Sequence, residues 1–242
     1  MIADNLGPAF RISLVPFGIV AVAYWGVVSM FTVSDGQVAL PSTDPIMPLL
    51  AVIALLALTV TLFCLVAVAW HRFVLLEEQP GSLGPRWNGA QMLAYAGASL
   101  RIGLVMFAIG AVVGLGLGLF FAMTGEGRWN SQNGATLSFL VNLAMSYLSM
   151  RFALVLPAAA LGERMQVFDS WSRTKPFAGA IFVAAGCAAV LVNLPLLVIG
   201  TALGSVLAQT AYFLFAGWLQ IMLSISVLTA LYGHIVEGRP LR

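Results

Sequence analysis

The chain has 242 residues, of which 61% are hydrophobic and 8% are charged, and its formal net charge is +2. Soluble domains carry about 25% charged residues, so this composition excludes a water-facing globule and favours a protein embedded in lipid. The small net charge gives no support for binding nucleic acid. Cys64 and Cys187 each stand alone in an apolar stretch, so we expect buried thiols and no metal site.

Six apolar stretches predict six transmembrane helices. Each stretch has the length of about 20 residues that a helix needs to cross the hydrocarbon core, and none shows the alternating polarity of barrel strands. We therefore predict an all-α polytopic membrane protein in which residues 1–242 form one integral membrane domain. In chain order, the predicted spans are 12–33, 47–70, 102–123, 136–157, 177–199 and 210–232.

The basic residues gather on one side of these spans. Ten of the eleven lysines and arginines fall in the N-terminal segment, in residues 71–101, in residues 151–176 or in the C-terminal segment, and only Arg128 falls on the other side. Basic residues stay on the cytoplasmic side of a membrane. The sequence therefore predicts a bacterial inner-membrane protein with both termini in the cytoplasm, which an even number of crossings requires.

A short motif recurs where each even-numbered span ends. The stretches are "WHRFVLLEEQPG", "SMRFALVLPAAALGE" and "LYGHIVEGRP", and each has a basic residue or histidine, then apolar residues, then glutamate and proline in varying order. Arg72, Arg151 and His234 hold the matching positions, 79 and 83 residues apart. We infer three helical hairpins related by an approximate internal repeat.

The stretches "RFALVLPAAALGE" and "FDSWSRTK" resemble a pattern in uncharacterised multi-pass proteins of bacterial inner membranes. Those proteins are similar in layout to the membrane region that precedes the catalytic domain of some glycerophosphodiester phosphodiesterases. The resemblance covers the six-span layout and the connectors after the second and fourth spans. It implies a stand-alone membrane domain, and the activity of the fused enzymes does not carry over because this sequence shows no soluble catalytic domain.

Long basic side chains near span ends bury their stems in lipid and extend their charge to the phosphate layer. The residues predicted to contact lipid headgroups in this way are Arg72, Arg101, Arg151, Arg173 and Lys175. Membrane lipids are therefore the expected partners. The same reasoning places Trp70 in an aromatic belt at the membrane surface.

Two sets of residues predict contacts between helices. Gly110, Gly114 and Gly118 lie four residues apart on one face of the third span, a spacing that lets another helix approach closely. The approaching helix is either part of this chain or part of a second protein, including a second copy. Asn142 and Asn193 lie inside the fourth and fifth spans and are expected to hydrogen-bond across helices, or alternatively to line a transport path.

The stretch "GERMQVFDSWSRTKPF" predicts a short amphipathic helix with Asp169 or Ser170 as its cap. Met165, Phe168 and Trp171 recur at helical spacing, so the helix is expected to rest on the inner leaflet. The alternative is a docking site for a cytoplasmic partner.

Sequence signatures of the common enzyme classes, such as GxSxG, HExxH and the P-loop, are missing in a suitable context. We therefore predict a non-catalytic role as a scaffold or accessory subunit of a membrane complex, or as a lipid-associated protein. A transporter or channel for a small or apolar molecule is the alternative. His71 and His234 both lie at the cytoplasmic ends of even-numbered spans and are candidate haem ligands, but interfacial polar residues are the simpler interpretation, and no cofactor is expected.

Overall fold

A computed structural model describes residues 5–34, 37–39, 46–81, 84–124, 131–202 and 206–240. The fold is predominantly helical, with one antiparallel hairpin in which Val33 pairs with Val38. A 3-10 turn lies at Lys175–Phe177. The elements are α1 (Leu6–Val28), β1 (Thr32–Ser34), β2 (Gln37–Ala39), α2 (Ile46–Leu76), α3 (Gly89–Thr124), α4 (Ser131–Phe152), α5 (Val155–Leu161), α6 (Val167–Thr174), α7 (Ala178–Ala202) and α8 (Val206–Ile235).

Within the part of the chain that the structure describes, five stretches of helix are long and apolar enough to cross a membrane, which confirms a helical protein suited to a bilayer. They are Leu6–Val28, Ile46–Leu76, Gly89–Met123, Thr136–Leu161 and Leu214–Ile235. The predicted span 177–199 coincides with α7, a helix of 25 residues. The side chains of residues 191–202 lie outside the described part of the chain, so α7 is not counted among the five.

The helix ends differ from the predicted spans. The first helix ends at Val28 rather than residue 33, because the chain turns at Ser29 and Met30 and continues into β1. α3 begins 13 residues before the predicted span, and with 36 residues it is about 54 Å long, well beyond the roughly 30 Å hydrocarbon core. No proline interrupts the polar start of α3, so the helix continues outside the predicted membrane region.

The predicted fourth span is broken near its end. α4 stops at Phe152, a turn follows, and α5 begins at Val155. Proline is best tolerated in the first turn of a helix. Pro157 is the third residue of α5, so the break places it where its missing N–H leaves no hydrogen bond unmade.

The hydrophobic core lies at one end of the molecule. Helix α5 packs between α2, α3 and α8, α6 packs on α4, and α1 and α8 both pack on α2. Most buried side chains come from residues 64–75, 92–102, 151–160, 170–174 and 218–232. This end also carries most of the described arginines, and we call it the basic end. Towards the other end the helices expose apolar side chains, as expected for a surface that faces lipid.

Trp70 does not lie in an aromatic belt. Its side chain is fully buried in the core cluster with Met92, Tyr95 and Met222, so that prediction is wrong. Sequence position alone located the residue near a span end, but α2 continues to Leu76 and carries Trp70 into the packed interior between helices.

Candidate functional site

Arg151 is the centre of a buried hydrogen-bond cluster that joins α4 to α6. Its Nε donates to Thr174 Oγ1 at 2.8 Å, and its Nη1 donates to the Tyr147 hydroxyl at 2.9 Å. Its Nη2 donates to the backbone oxygen of Trp171 at 2.7 Å, and the guanidinium carbon lies 3.7 Å from the centroid of the Trp171 ring. The Ser170 hydroxyl donates in turn to the Arg151 backbone oxygen at 2.7 Å. We call these five residues the Arg151 cluster.

The predicted extension of Arg151 to the phosphate layer is therefore wrong. The side chain is only 4% exposed. Buried charged groups persist where they are fully hydrogen-bonded, and α6 supplies the acceptors that phosphate or water would otherwise supply. The cluster fixes α6 against the end of α4, and this fixes the loop that precedes α6.

That loop starts at a helix C-terminus of the Schellman type. Gly162 has φ +84°, a conformation that glycine adopts without a steric penalty. The Gly162 N–H donates to the Ala159 oxygen at 3.1 Å, and the Glu163 N–H donates to the Ala158 oxygen at 2.8 Å. The chain therefore reverses at Gly162 and turns residues 163–166 back towards α3.

The other end of the loop is held by a capping box. Gln166 is the N-cap of α6, and its backbone N–H donates to Asp169 Oδ2 at 3.1 Å. The predicted amphipathic helix exists, but neither Asp169 nor Ser170 is its N-cap, because Gln166 holds that position. The helix buries its small polar residues, Ser170 and Thr174, against α4, while Phe168 is 75% exposed.

A cavity of about 510 Å³ lies between α3, α5 and this loop, and we call it the basic-end pocket. Arg101, Arg164, Glu163 and Asp169 contribute charges of both signs to its wall, and Gln166 contributes an amide. The remaining lining residues are small or apolar: Ala94, Val155, Ala159, Gly162 and Met165. Arg101 lies one residue before the predicted start of the third span, so the pocket is expected near the level of the phosphate layer.

The two carboxylates of the pocket are held in place by protein donors. Glu163 Oε2 accepts a hydrogen bond of 2.6 Å from the hydroxyl of Tyr232, a buried side chain of α8. Asp169 Oδ2 accepts from the Gln166 N–H. Neither carboxylate forms an ion pair with Arg101 or Arg164 in the described part of the chain. The pocket therefore presents fixed negative groups beside arginines that remain available to a ligand.

The other residues predicted to contact headgroups have different surroundings. Arg72 is largely buried, since its Nε donates to Glu78 Oε2 at 2.6 Å and its Nη1 donates to the Ala160 oxygen at 3.3 Å. Arg101, Arg173 and Lys175 are exposed. Arg101 Nε donates to the oxygen of Gly97 one turn earlier in α3. Headgroup contact through these three exposed side chains stays a prediction.

His71 is fully buried between α2, α3 and α8. Thr229 Oγ1 donates to the Ile225 backbone oxygen at 2.6 Å, so its single proton is already used. His71 Nδ1, 2.8 Å from the same Oγ1, must then carry the hydrogen and donate it to Thr229. His234 Nδ1 lies 2.9 Å from the Arg239 backbone oxygen, which can only accept, so this nitrogen is also a donor. The two imidazoles thus have separate protein partners on α8 and in the C-terminal segment.

The glycines of α3 lie on its open side. A Cβ added at Gly114 or Gly118 would meet nothing within 4 Å in the described part of the chain, and one added at Gly110 would lie 4.0 Å from Met145 Cε. Close packing of another helix of this chain is therefore absent at Gly114 and Gly118 among the described residues. Contact with a second protein or a second copy through this face stays a prediction.

Asn142 is exposed on α4 and makes no hydrogen bond within the described part of the chain, so the predicted bond across helices is not formed there. The side chain of Asn193 lies outside the described residues. An apolar groove of about 150 Å³ lies between α1, α2 and α8, and Asn142 does not line it. This groove gives no polar path of the kind expected for a transporter, and that alternative stays a prediction.

Several contacts at the basic end could not be predicted from the sequence because their partners are distant along the chain. Glu163 and Tyr232 are 69 residues apart, and His71 and Thr229 are 158 residues apart. The i, i+4 pair Ser170 and Thr174 was the one local signal, because it places two hydroxyls on the same side of α6. No family model matches the chain, and neither a curated protein nor a solved structure matches it.

Proposed function

We propose that the chain is a six-crossing protein of a bacterial inner membrane, built from three hairpins with both termini in the cytoplasm. Five long apolar helices and the coincidence of α7 with the remaining predicted span support this count. The basic end supports the orientation, because arginines gather on the cytoplasmic side of membrane proteins.

The orientation can be tested with single-cysteine variants in spheroplasts and inverted vesicles. Starting from a chain in which Cys64 and Cys187 are replaced by alanine, cysteines at Arg173 and at residue 240 should react with an impermeant maleimide only in inverted vesicles. A cysteine at residue 127 should react only in spheroplasts. Labelling of positions 173 and 240 from opposite sides would overturn the six-crossing arrangement.

We further propose that the protein is a non-catalytic, lipid-associated protein whose basic-end pocket holds the headgroup of a phospholipid. The pocket itself carries this proposal, because it joins two arginines to an apolar wall beside α3, which has an apolar stretch of 18 residues that the rest of the protein does not bury. Arginine is well suited to phosphate, since its planar guanidinium donates two parallel hydrogen bonds. Arg101 and Arg164 are the residues that supply these donors.

Replacing Arg101 and Arg164 together by glutamine should weaken binding of the first phospholipid molecule. Each basic group near a membrane surface contributes about 1 kcal/mol to the attraction of anionic groups, so the double variant should bind roughly tenfold or more weakly. Native mass spectrometry of the full chain, titrated with one phospholipid in mild detergent, measures the occupancy of the first bound lipid.

The matched control is Arg86→Gln, which removes one exposed arginine that does not line the pocket and is not among the predicted headgroup contacts. Its first-lipid affinity should stay within about twofold of the unmodified chain. Equal affinities for the double variant and the unmodified chain would show that the pocket does not hold a phosphate.

A further inference from the structure

The basic-end pocket holds opposite charges that do not neutralise each other. Arg101, Arg164, Glu163 and Asp169 all line it, yet no ion pair within 4.0 Å joins either arginine to either carboxylate in the described part of the chain. Charges of opposite sign beside one cavity attract unless they are held apart, and here Tyr232 and the Gln166 N–H hold the two carboxylates. The pocket is therefore preorganised for a ligand that itself carries separated positive and negative groups.

We infer that this ligand is a phospholipid with a primary ammonium group beside its phosphate, an inference that rests on the lipid-associated function proposed above. The phosphate is held by Arg101 and Arg164, and the ammonium is held by Glu163 and Asp169. Each carboxylate uses one oxygen for its protein donor, and its second oxygen has no protein donor in the described part of the chain. A primary ammonium has three N–H donors, enough to bond both free oxygens.

The lining residues argue against a quaternary ammonium headgroup. A trimethylated nitrogen cannot donate hydrogen bonds, and proteins recognise it by enclosing it with aromatic rings. The described residues that line the pocket are alanine, valine, glycine, methionine, arginine, glutamate, glutamine and aspartate, and none of them is aromatic. The same wall argues against a purely anionic headgroup, because Glu163 and Asp169 would then face a ligand that offers them no positive charge.

The acyl chains have a surface to follow from the pocket. Leu104 lies one turn beyond Arg101 on α3, and it is 59% exposed, while Phe107 in the next turn is 76% exposed. α3 contains an apolar stretch of 18 residues, none of which is buried by the rest of the protein. The lipid thus places its headgroup between α3 and the loop before α6 and lays its chains along α3.

The test compares three phospholipids with identical acyl chains and different headgroups. The full chain in mild detergent is titrated with phosphatidylethanolamine, phosphatidylcholine or phosphatidylglycerol, and native mass spectrometry gives the affinity for the first lipid bound. Phosphatidylethanolamine should bind about fivefold or more tightly than either of the others. In the double variant Glu163→Gln with Asp169→Asn, this preference should fall to within about twofold.

The control variant is Glu77→Gln, which removes an exposed carboxylate that does not line the pocket and should keep the preference. Because Glu163 also accepts a hydrogen bond from Tyr232, the single variant Asp169→Asn provides a second measurement that leaves this bond in place. In this variant, the logarithm of the affinity ratio that favours phosphatidylethanolamine should fall by about half. A thermal unfolding midpoint for each variant shows that the fold is retained.

Three outcomes would overturn the inference. The first two leave the proposed lipid-associated function in place, and the third would overturn that function as well. Equal binding of the three lipids, with all three still weakened by the Arg101 and Arg164 double variant, would leave a phosphate site without amine recognition. Tightest binding of phosphatidylglycerol would make it an anionic-lipid site. Binding of soluble glycerophosphoethanolamine as tight as that of the lipid would assign the pocket to a soluble phosphoamine.

Discussion

Replacing Arg151 by alanine is expected to release α6 from the end of α4 and to lower the stability of the protein by on the order of 3 kcal/mol. The substitution removes three hydrogen bonds from a charged donor and the stacking of the guanidinium on Trp171. It also leaves Tyr147 and Thr174 without the N–H groups that they now accept from. The thermal unfolding midpoint in mild detergent measures the loss, and cleavage of the connector 162–176 by a protease measures the release of α6.

Two further variants make this prediction specific to the cluster. Arg151→Lys keeps the charge but replaces a planar fork by a single nitrogen, which cannot reach the oxygens of Thr174, Trp171 and Tyr147 at once, so most of the loss should remain. Arg173→Ala removes an exposed arginine from α6 and should change the stability by less than about 0.5 kcal/mol. Equal midpoints for Arg151→Ala and Arg173→Ala would show that the cluster does not hold α6.

Release of α6 should also reach the basic-end pocket. The capping box between Gln166 and Asp169 holds the start of α6, and the Arg151 cluster holds the rest of α6 against α4. If α6 moves away from α4, Asp169 no longer faces the same cavity as Arg101. The lipid affinity of Arg151→Ala should therefore fall although Arg151 itself does not line the pocket.

The helices were predictable from the sequence because their signal is local. A run of apolar residues long enough to cross the hydrocarbon core needs no knowledge of its neighbours, and five such helices appear near the predicted positions. The pocket was less predictable. Arg101 was predicted as a headgroup contact. The other side of the pocket depends on the turn at Gly162 and on the docking of α6, and it consists of Glu163, Arg164 and Asp169.

Arginines near the span ends differ in burial, and the sequence does not predict this difference because it too depends on contacts between elements. Arg151 and Arg173 were both predicted to extend towards headgroups, yet Arg151 is buried and Arg173 is exposed. The difference is set by which acceptors a neighbouring element supplies, since Thr174 and the Trp171 oxygen face Arg151. Spacing along one helix carries no information about acceptors that come from the next one.

Trp70 is the second residue whose replacement should have a large effect. Its side chain is fully buried among residues of α2, α3 and α8. Removing a large buried side chain costs about 3–5 kcal/mol because the cavity that it leaves fills only in part. Trp70→Ala should therefore lower the unfolding midpoint far more than Trp87→Ala, which removes a side chain that is 68% exposed.

Trp70→Phe distinguishes the contribution of the packed ring to stability from the contribution of the indole N–H. The Trp70 Nε1–H is buried and has no hydrogen-bond partner in the described part of the chain, so phenylalanine removes an unsatisfied donor and keeps most of the apolar contact. We expect its cost to be about 1 kcal/mol, well below that of alanine. If phenylalanine proves as damaging as alanine, the indole N–H must bind a group that is buried with it, such as an ordered water, and the core would depend on that bond rather than on packing alone.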